Sequence, residues 1–135
     1  WHHIAGVHDG REVRLYVDGR LVAAKKGTGK RKRNGHPFYI GADPDGRGRP
    51  MSFFDGLIDE VRISTVARYR GERFDPPRRH ERDGQTALLL HMDRVFGECH
   101  PDLSGRCANA RARDGARLVE LETAIAPGPA AAEKE

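Results

Sequence analysis

Six of the nine residues from Lys25 to Arg33 are basic: Lys25, Lys26, Lys30, Arg31, Lys32 and Arg33. No other stretch concentrates one sign of charge so densely. Closely spaced Lys and Arg draw sulfate, phosphate and other polyanions through their field and through charge-assisted hydrogen bonds. The competing reading is a solvated loop tip, the usual role of a charge run. No aromatic side chain interrupts the cluster to stack on bases, which argues against single-stranded nucleic acid. A net charge of +4 is also too small to imply nucleic acid by itself. Arg68, Arg70 and Arg73 are the downstream residues that would extend the same positive surface.

Asp43 and Asp45 sit in an Asp/Gly/Pro-rich loop with spare backbone carbonyls, a donor set suited to calcium. The same Asp-Pro-Asp-Gly run also makes a good turn in which each Asp bonds its own backbone. Cys99 and Cys107 are spaced for a single disulfide in an oxidising compartment, with free thiols as the alternative. His91 and His100 lie near them, but the spacing matches no zinc pattern. Gly27-Thr28-Gly29-Lys30 lacks the spacing of a phosphate loop, and Arg31 stands where that loop needs a hydroxyl. His2-His3 has no helical partner spacing for a metal, and His3 is expected as a packed or interfacial residue. Asp59 and Glu60 are adjacent, so in a strand they project to opposite faces and cannot act together. Asp59 falls on the apolar face of its run and must find partners or a cation if buried; hydrogen bonds that hold the strand end explain it better than a cation does.

The elements that must position these groups are strands. Asp9-Gly10 and Asp18-Gly19 each separate short strand-like runs, and Asp-Gly suits the type I′ hairpin turn. Val13, Leu15 and Val17 alternate with Arg14, Tyr16 and Asp18, which predicts an apolar inner face and a wet outer one. Strands are expected over residues 2–24, 37–41 and 53–63, with one helical turn at Ser64–Tyr69. Val13, Leu15, Val17, Ile40, Leu57, Val61 and Ile63 are the expected core. Thr86–Met92 (TALLLHM) is expected to pair near the Phe53–Ile63 strand, with Leu88 and Leu90 buried, because a free apolar strand is an aggregation hazard. A single sheet would leave its apolar face bare, so the class is all-β and the architecture an antiparallel β-sandwich.

Three blocks, WHHIAGVHDGREVRLYVDGRLV at 1–22, FYIGADPDG at 38–46 and FFDGLIDEVRIS at 53–64, resemble the laminin-G-like jelly rolls of the concanavalin A-like lectin/glucanase superfamily. The resemblance covers about residues 1–70 and implies a non-catalytic module of a secreted or cell-surface protein, often concerned with glycans or adhesion. Glucanases of this superfamily carry a Glu-x-Asp-x-Glu pattern on one strand face, and Asp55, Asp59 and Glu60 do not form it. Some members carry calcium at the sandwich rim, and related domains bind sulfated glycans through basic patches. Residues 87–119 resemble the opening of the same domain, with Asp102-Leu103-Ser104-Gly105 in place of its Asp-Ser-Ser-Gly turn. Trp1 already falls inside a family strand, so the jelly roll is expected to be incomplete at its N-terminus.

The organisation expected is the C-terminal part of the sandwich over 1–70, a connector over 71–85, an additional strand and loop segment over 86–120, and a disordered tail over 121–135. At 135 residues the chain is long enough for one core and too short for two. No apolar run approaches the length needed to span a membrane. The function expected is a binding or adhesion module, with a polyanionic or other glycan, or a protein, as ligand. The rival classes are a structural spacer without a ligand and a non-functional fragment of a larger protein.

Overall fold

The computed structural model describes residues 1–27 and 35–120. Among them there are nine strands and no helix. β1 (Ile4–His8), β2 (Glu12–Val17) and β3 (Arg20–Lys26) form an antiparallel sheet in that order. Three antiparallel pairs follow: β4 (Asp43–Pro44) with β5 (Pro50–Met51), β6 (Val61–Ser64) with β7 (Thr86–Leu90), and β8 (Cys99–His100) with β9 (Ala110–Arg111). The described residues are therefore all-β and antiparallel throughout, consistent with the expected sandwich class.

The two Asp-Gly turns differ. Asp18 (φ 48°) and Gly19 (φ 76°) are both left-handed, as a type I′ turn requires. Gly19 is obligatory for a second reason: a Cβ there would lie 2.0 Å from the Phe74 carbonyl oxygen. At the first turn only Gly10 has positive φ. Asp9 closes that loop with its side chain, Oδ1 accepting the Arg11 and Glu12 amides at 2.9 Å each.

The face of the first sheet that turns inward is the opposite of the one expected. Val7, Arg14 and Tyr16 are buried, whereas Val13 and Leu15 are 49% and 41% exposed. The register explains the grouping, since Ala5–Tyr16 and Val7–Arg14 are direct neighbours on one face and Gly6–Leu15 and His8–Val13 on the other. What covers the Tyr16 face is the segment after β6. Residues 72–74 run antiparallel to the start of β3, with the Leu21 amide donating to Glu72 and the Phe74 amide to Gly19, both at 2.9 Å. Tyr16 donates its hydroxyl to the Gly71 carbonyl at 3.0 Å and stands edge-on to Phe74 and Tyr69. Tyr69 and Phe74 stack with centroids 3.6 Å apart. The stretch expected as an extended connector over 71–85 thus contributes to the core.

Other boundaries also shift. No strand forms at 37–41, and within 53–63 only Val61 onward is in a strand. Glu60 takes a left-handed φ of 52°, which breaks the extended run just before β6. Leu57 is correspondingly exposed, and Val17, Ile40, Val61 and Ile63 are half-buried. Ser64–Tyr69 bends without a helical turn. β7 pairs with β6 as anticipated, Val61 opposite Leu90 and Ile63 opposite Leu88. Thr86, Leu88, Leu89 and Leu90 are all buried. Left-handed Met92 (φ 58°) follows soon after the end of β7.

Candidate functional site

Lys25 and Lys26 lie at the far end of β3 and are exposed. Lys30, Arg31, Lys32 and Arg33 lie outside the described residues. Cross-strand pairing adds basic neighbours that the linear sequence did not group. His8, Val13 and Lys25 form one row across β1, β2 and β3, because Val13 is the direct partner of both. The Gly27 amide donates to the Arg11 carbonyl at 2.7 Å, which brings the Asp9–Glu12 turn beside the start of the basic loop. His8, Arg11, Lys25 and Lys26 therefore share one end of the sheet, and all four are exposed. Only strand register could group His8 and Arg11 with the lysines, and register follows from turn geometry rather than from composition.

Of the downstream arginines, Arg68 is committed elsewhere. Arg68 donates to Asp83 Oδ1 at 2.6 Å and to Ser64 Oγ at 2.5 Å. Arg73 is the bridge partner of Arg20. The Arg68 guanidinium and the Thr86 hydroxyl hold the Asp83 carboxyl well below the usual carboxylate range.

Asp43 belongs to β4 and is exposed. The Asp45 carboxylate closes its own hairpin: Oδ1 accepts the amides of Arg47 and Arg49 at 2.8 Å each, and Oδ2 accepts Arg49 Nε at 2.8 Å. Those amide bonds lower its pKa, that from Arg49 first. This is the turn geometry available to an Asp-Pro-Asp-Gly loop. No group of three or more His, Cys, Asp or Glu side chains converges as a metal set among the described residues. Cys99, on β8, is half-buried and Cys107 is exposed, and both are free thiols.

A polar cluster missed by linear reading gathers around Glu60. Its carboxylate accepts the His80 amide at 2.9 Å and faces His91 Nδ1 at 2.9 and 3.0 Å. Arg79 Nη1 lies 3.4 Å from Glu60 Oε1, and Arg79 also donates to Asp93 at 2.5 Å. An ionised carboxylate only accepts, so the His91 proton resides on Nδ1. His80 and His3 stand edge to face with centroids 5.9 Å apart. Burial lowers both histidines, and the Arg62 charge adds to the effect; His80 is pushed down to about 4. Asp59, beside this cluster, is raised by burial and by the neighbouring Glu60 and Asp93 charges. The sequence signal was the pair Asp59-Glu60, read there as part of a regular strand. Glu60 takes a left-handed φ of 52° and its carboxylate meets His80 and His91.

These carboxylates are engaged by histidine, arginine and amide donors. None of the groups named at either site forms a nucleophile with an adjacent base. What the basic end offers is charge and hydrogen-bond donors on an exposed strand terminus.

Residues 1–72 match a laminin-G family model described as the concanavalin A-like lectin/glucanases superfamily. No curated protein and no solved structure matches the chain.

Proposed function

The chain belongs to the concanavalin A-like lectin/glucanase superfamily, and from that premise we propose that it is a non-catalytic binding module of a secreted or cell-surface protein, with a polyanionic glycan as its ligand. The superfamily match supports a binding module. The finer assignment rests on one observation: the exposed grouping of His8, Arg11, Lys25 and Lys26 at the sheet end from which the Lys30–Arg33 run continues. Donors spaced along a sheet end can each engage a sulfate or carboxylate of a repeating sugar acid. An exposed site of this kind depends on Coulomb attraction across water, so binding should weaken steeply with salt.

Retention on a heparin column tests the reading. Replacing Lys30, Arg31, Lys32 and Arg33 by Ser should abolish retention while leaving the far-ultraviolet spectrum unchanged. Replacing Lys25 and Lys26 by Ser should shift elution to lower salt. Unchanged elution of both variants would discard the glycan assignment.

A protein ligand is the second reading, and the apolar part of the sheet face that carries His8 and Lys25 favours it. Ile4, Val13, Leu15 and Val22 on the first sheet are 61%, 49%, 41% and 55% exposed. Contiguous exposed apolar surface of this kind is a common mark of protein contact. A ligand held there would be insensitive to the Lys30–Arg33 substitutions and to salt.

A further inference from the structure

Two of the groups that hold segment 69–80 against the first sheet and the residues leading into it are histidines. It leaves β6, passes beneath Tyr16, pairs with β3 through residues 72–74 and ends at His80, whose amide is held by Glu60. His3 enters from the residue before β1 and meets it edge-on, with ring centroids 5.5 Å from Phe74, 6.2 Å from Tyr69 and 5.9 Å from His80. His80 is 8% exposed, and Nδ1 of each of the two rings is buried without a hydrogen-bond partner. A buried polar atom without a partner is tolerated on a neutral ring and becomes costly once the ring is charged.

The charges around the two rings set the sign. His80 faces Arg62, His3, Glu60 and His91; of these Glu60 alone favours its cationic form. His3 faces Asp18, which favours the cation, and Arg62, which opposes it. Glu60 already receives His91, Arg79 and the His80 amide. Asp18 is exposed and receives His2 Nδ1 and the His3 amide at 2.8 Å each. Arg62 is fixed by a 3.0 Å bond to the Tyr69 hydroxyl, so it cannot retreat without loosening the same segment.

We propose that His3 and His80 form an acid-sensitive latch, which clamps segment 69–80 to the β1–β2–β3 sheet while both rings are neutral and releases it when they take up protons. The direction follows from linkage. A histidine whose folded pKa lies below its free value holds fewer protons than in the released state, so the clamp is full above about pH 6.5. It is lost progressively as pH falls towards 4. For His80 alone, moving from pH 7 to pH 5 raises the opening constant roughly 20-fold. Release would uncover the Tyr16 face and separate the sheet carrying Lys25 and Lys26 from β6 and β7.

Amide hydrogen exchange on the full chain tests this, with rates corrected for the intrinsic effect of pH. The Leu21 and Phe74 amides bridge the segment to the sheet, and their protection should fall at least tenfold between pH 7 and pH 5. The Leu89 amide, bonded to the Asp102 carboxylate at 3.0 Å, serves as the internal reference and should hold. In the double variant His3→Phe, His80→Phe the fall at Leu21 and Phe74 should disappear. Acid-independent protection in the native chain, or an undiminished fall in a folded double variant, would overturn the latch. Nuclear magnetic resonance titration of the native ring protons needs no variant: midpoints of His3 and His80 at or above the ordinary histidine value would overturn it equally.

Discussion

Among the described residues, Tyr16 is the largest side chain fully withdrawn from water, and its position shows how an amphipathic residue enters a core. The ring supplies a large apolar surface, and the hydroxyl finds the Gly71 carbonyl, so no polar atom is stranded. Arg14 beside it is also buried, because Asp9, Glu12 and the Tyr69 carbonyl receive its guanidinium. Asp9 is correspondingly held far below the usual carboxylate range, first by the Arg11 amide and then by Arg14. Tyr16→Ala should cost about 3–5 kcal/mol, the usual range for emptying a buried aromatic site. Tyr16→Phe should cost about 1 kcal/mol, the worth of one hydrogen bond with its acceptor left behind. Leu15→Ser on the exposed face should cost under about 1 kcal/mol. Urea denaturation midpoints of the three variants provide the check, and the ranking reverses if the Leu15 face is the inner one. Gly19→Ala is a sharper case. The new methyl would meet both the Phe74 carbonyl and Pro76 Cδ at a φ of 76°, so a loss above about 2 kcal/mol is expected.

At the scale of elements, the turn Asp102-Leu103-Ser104-Gly105 organises the outer edge of β7. Asp102 Oδ1 accepts the Leu89 and Ser104 amides, while Oδ2 accepts the Ala108 amide and the Ser104 hydroxyl. The Leu103 amide returns a bond to the Leu89 carbonyl at 2.8 Å. Burial alone would raise the Asp102 carboxyl, but these donors outweigh it and hold it at about 2. A depressed carboxylate stabilises the fold above its free pKa and loses that contribution as pH falls from about 4 towards 2. Asp102→Asn should therefore lower the melting temperature at neutral pH and reduce the slope between pH 4 and 2. The slope persists in part, because Asp9 and Asp83 titrate in the same direction. Thermal melts across that window measure both effects. The histidine latch acts between pH 6.5 and 4, so the variant should leave that window unchanged.

The elements that sequence made legible were those fixed by local chemistry. Asp-Gly pairs located the hairpins, and the apolar run TALLLHM located β7 and its pairing with β6. Alternation was a poorer guide to the inner face. It ranks residues by polarity, whereas Tyr16 is buried against Gly71, Tyr69 and Phe74, all distant in sequence, and Arg14 is buried by pairing with Asp9 and Glu12. The break before β6 was equally hidden, since a left-handed Glu60 leaves no mark in a residue pattern. At the candidate site, the lysines were legible as a charge run, whereas His8 and Arg11 joined them only through register.

For the whole molecule, the consequence is an uneven distribution of apolar surface. The inner cluster runs from Tyr16 through Tyr69 and Phe74. Elsewhere Trp1, Phe38, Phe53, Phe54, Leu57 and Ile58 edge a broad groove between residues 38–59 and 108–120, and each is between 38% and 71% exposed. Together with Ile4, Val13, Leu15 and Val22, they give this chain two apolar surfaces open to water. A folded monomer seldom leaves more than a few hundred Å² of contiguous apolar surface bare. Two outcomes follow for the isolated chain at neutral pH: strong fluorescence enhancement of an anilinonaphthalene dye, and concentration-dependent elution in gel filtration. Phe53→Ser with Phe54→Ser should reduce the dye signal without lowering the unfolding free energy from urea denaturation by more than about 1 kcal/mol, because neither ring is buried. Val13→Thr with Leu15→Thr should do the same for the sheet face, with strand propensity retained by the β-branched residue. A large stability loss in the first pair would mean that the groove is closed by packing in solution. A loss in the second would mean that the outer face of β2 is covered. A reduced dye signal with full stability in both pairs establishes two accessible surfaces on one folded chain.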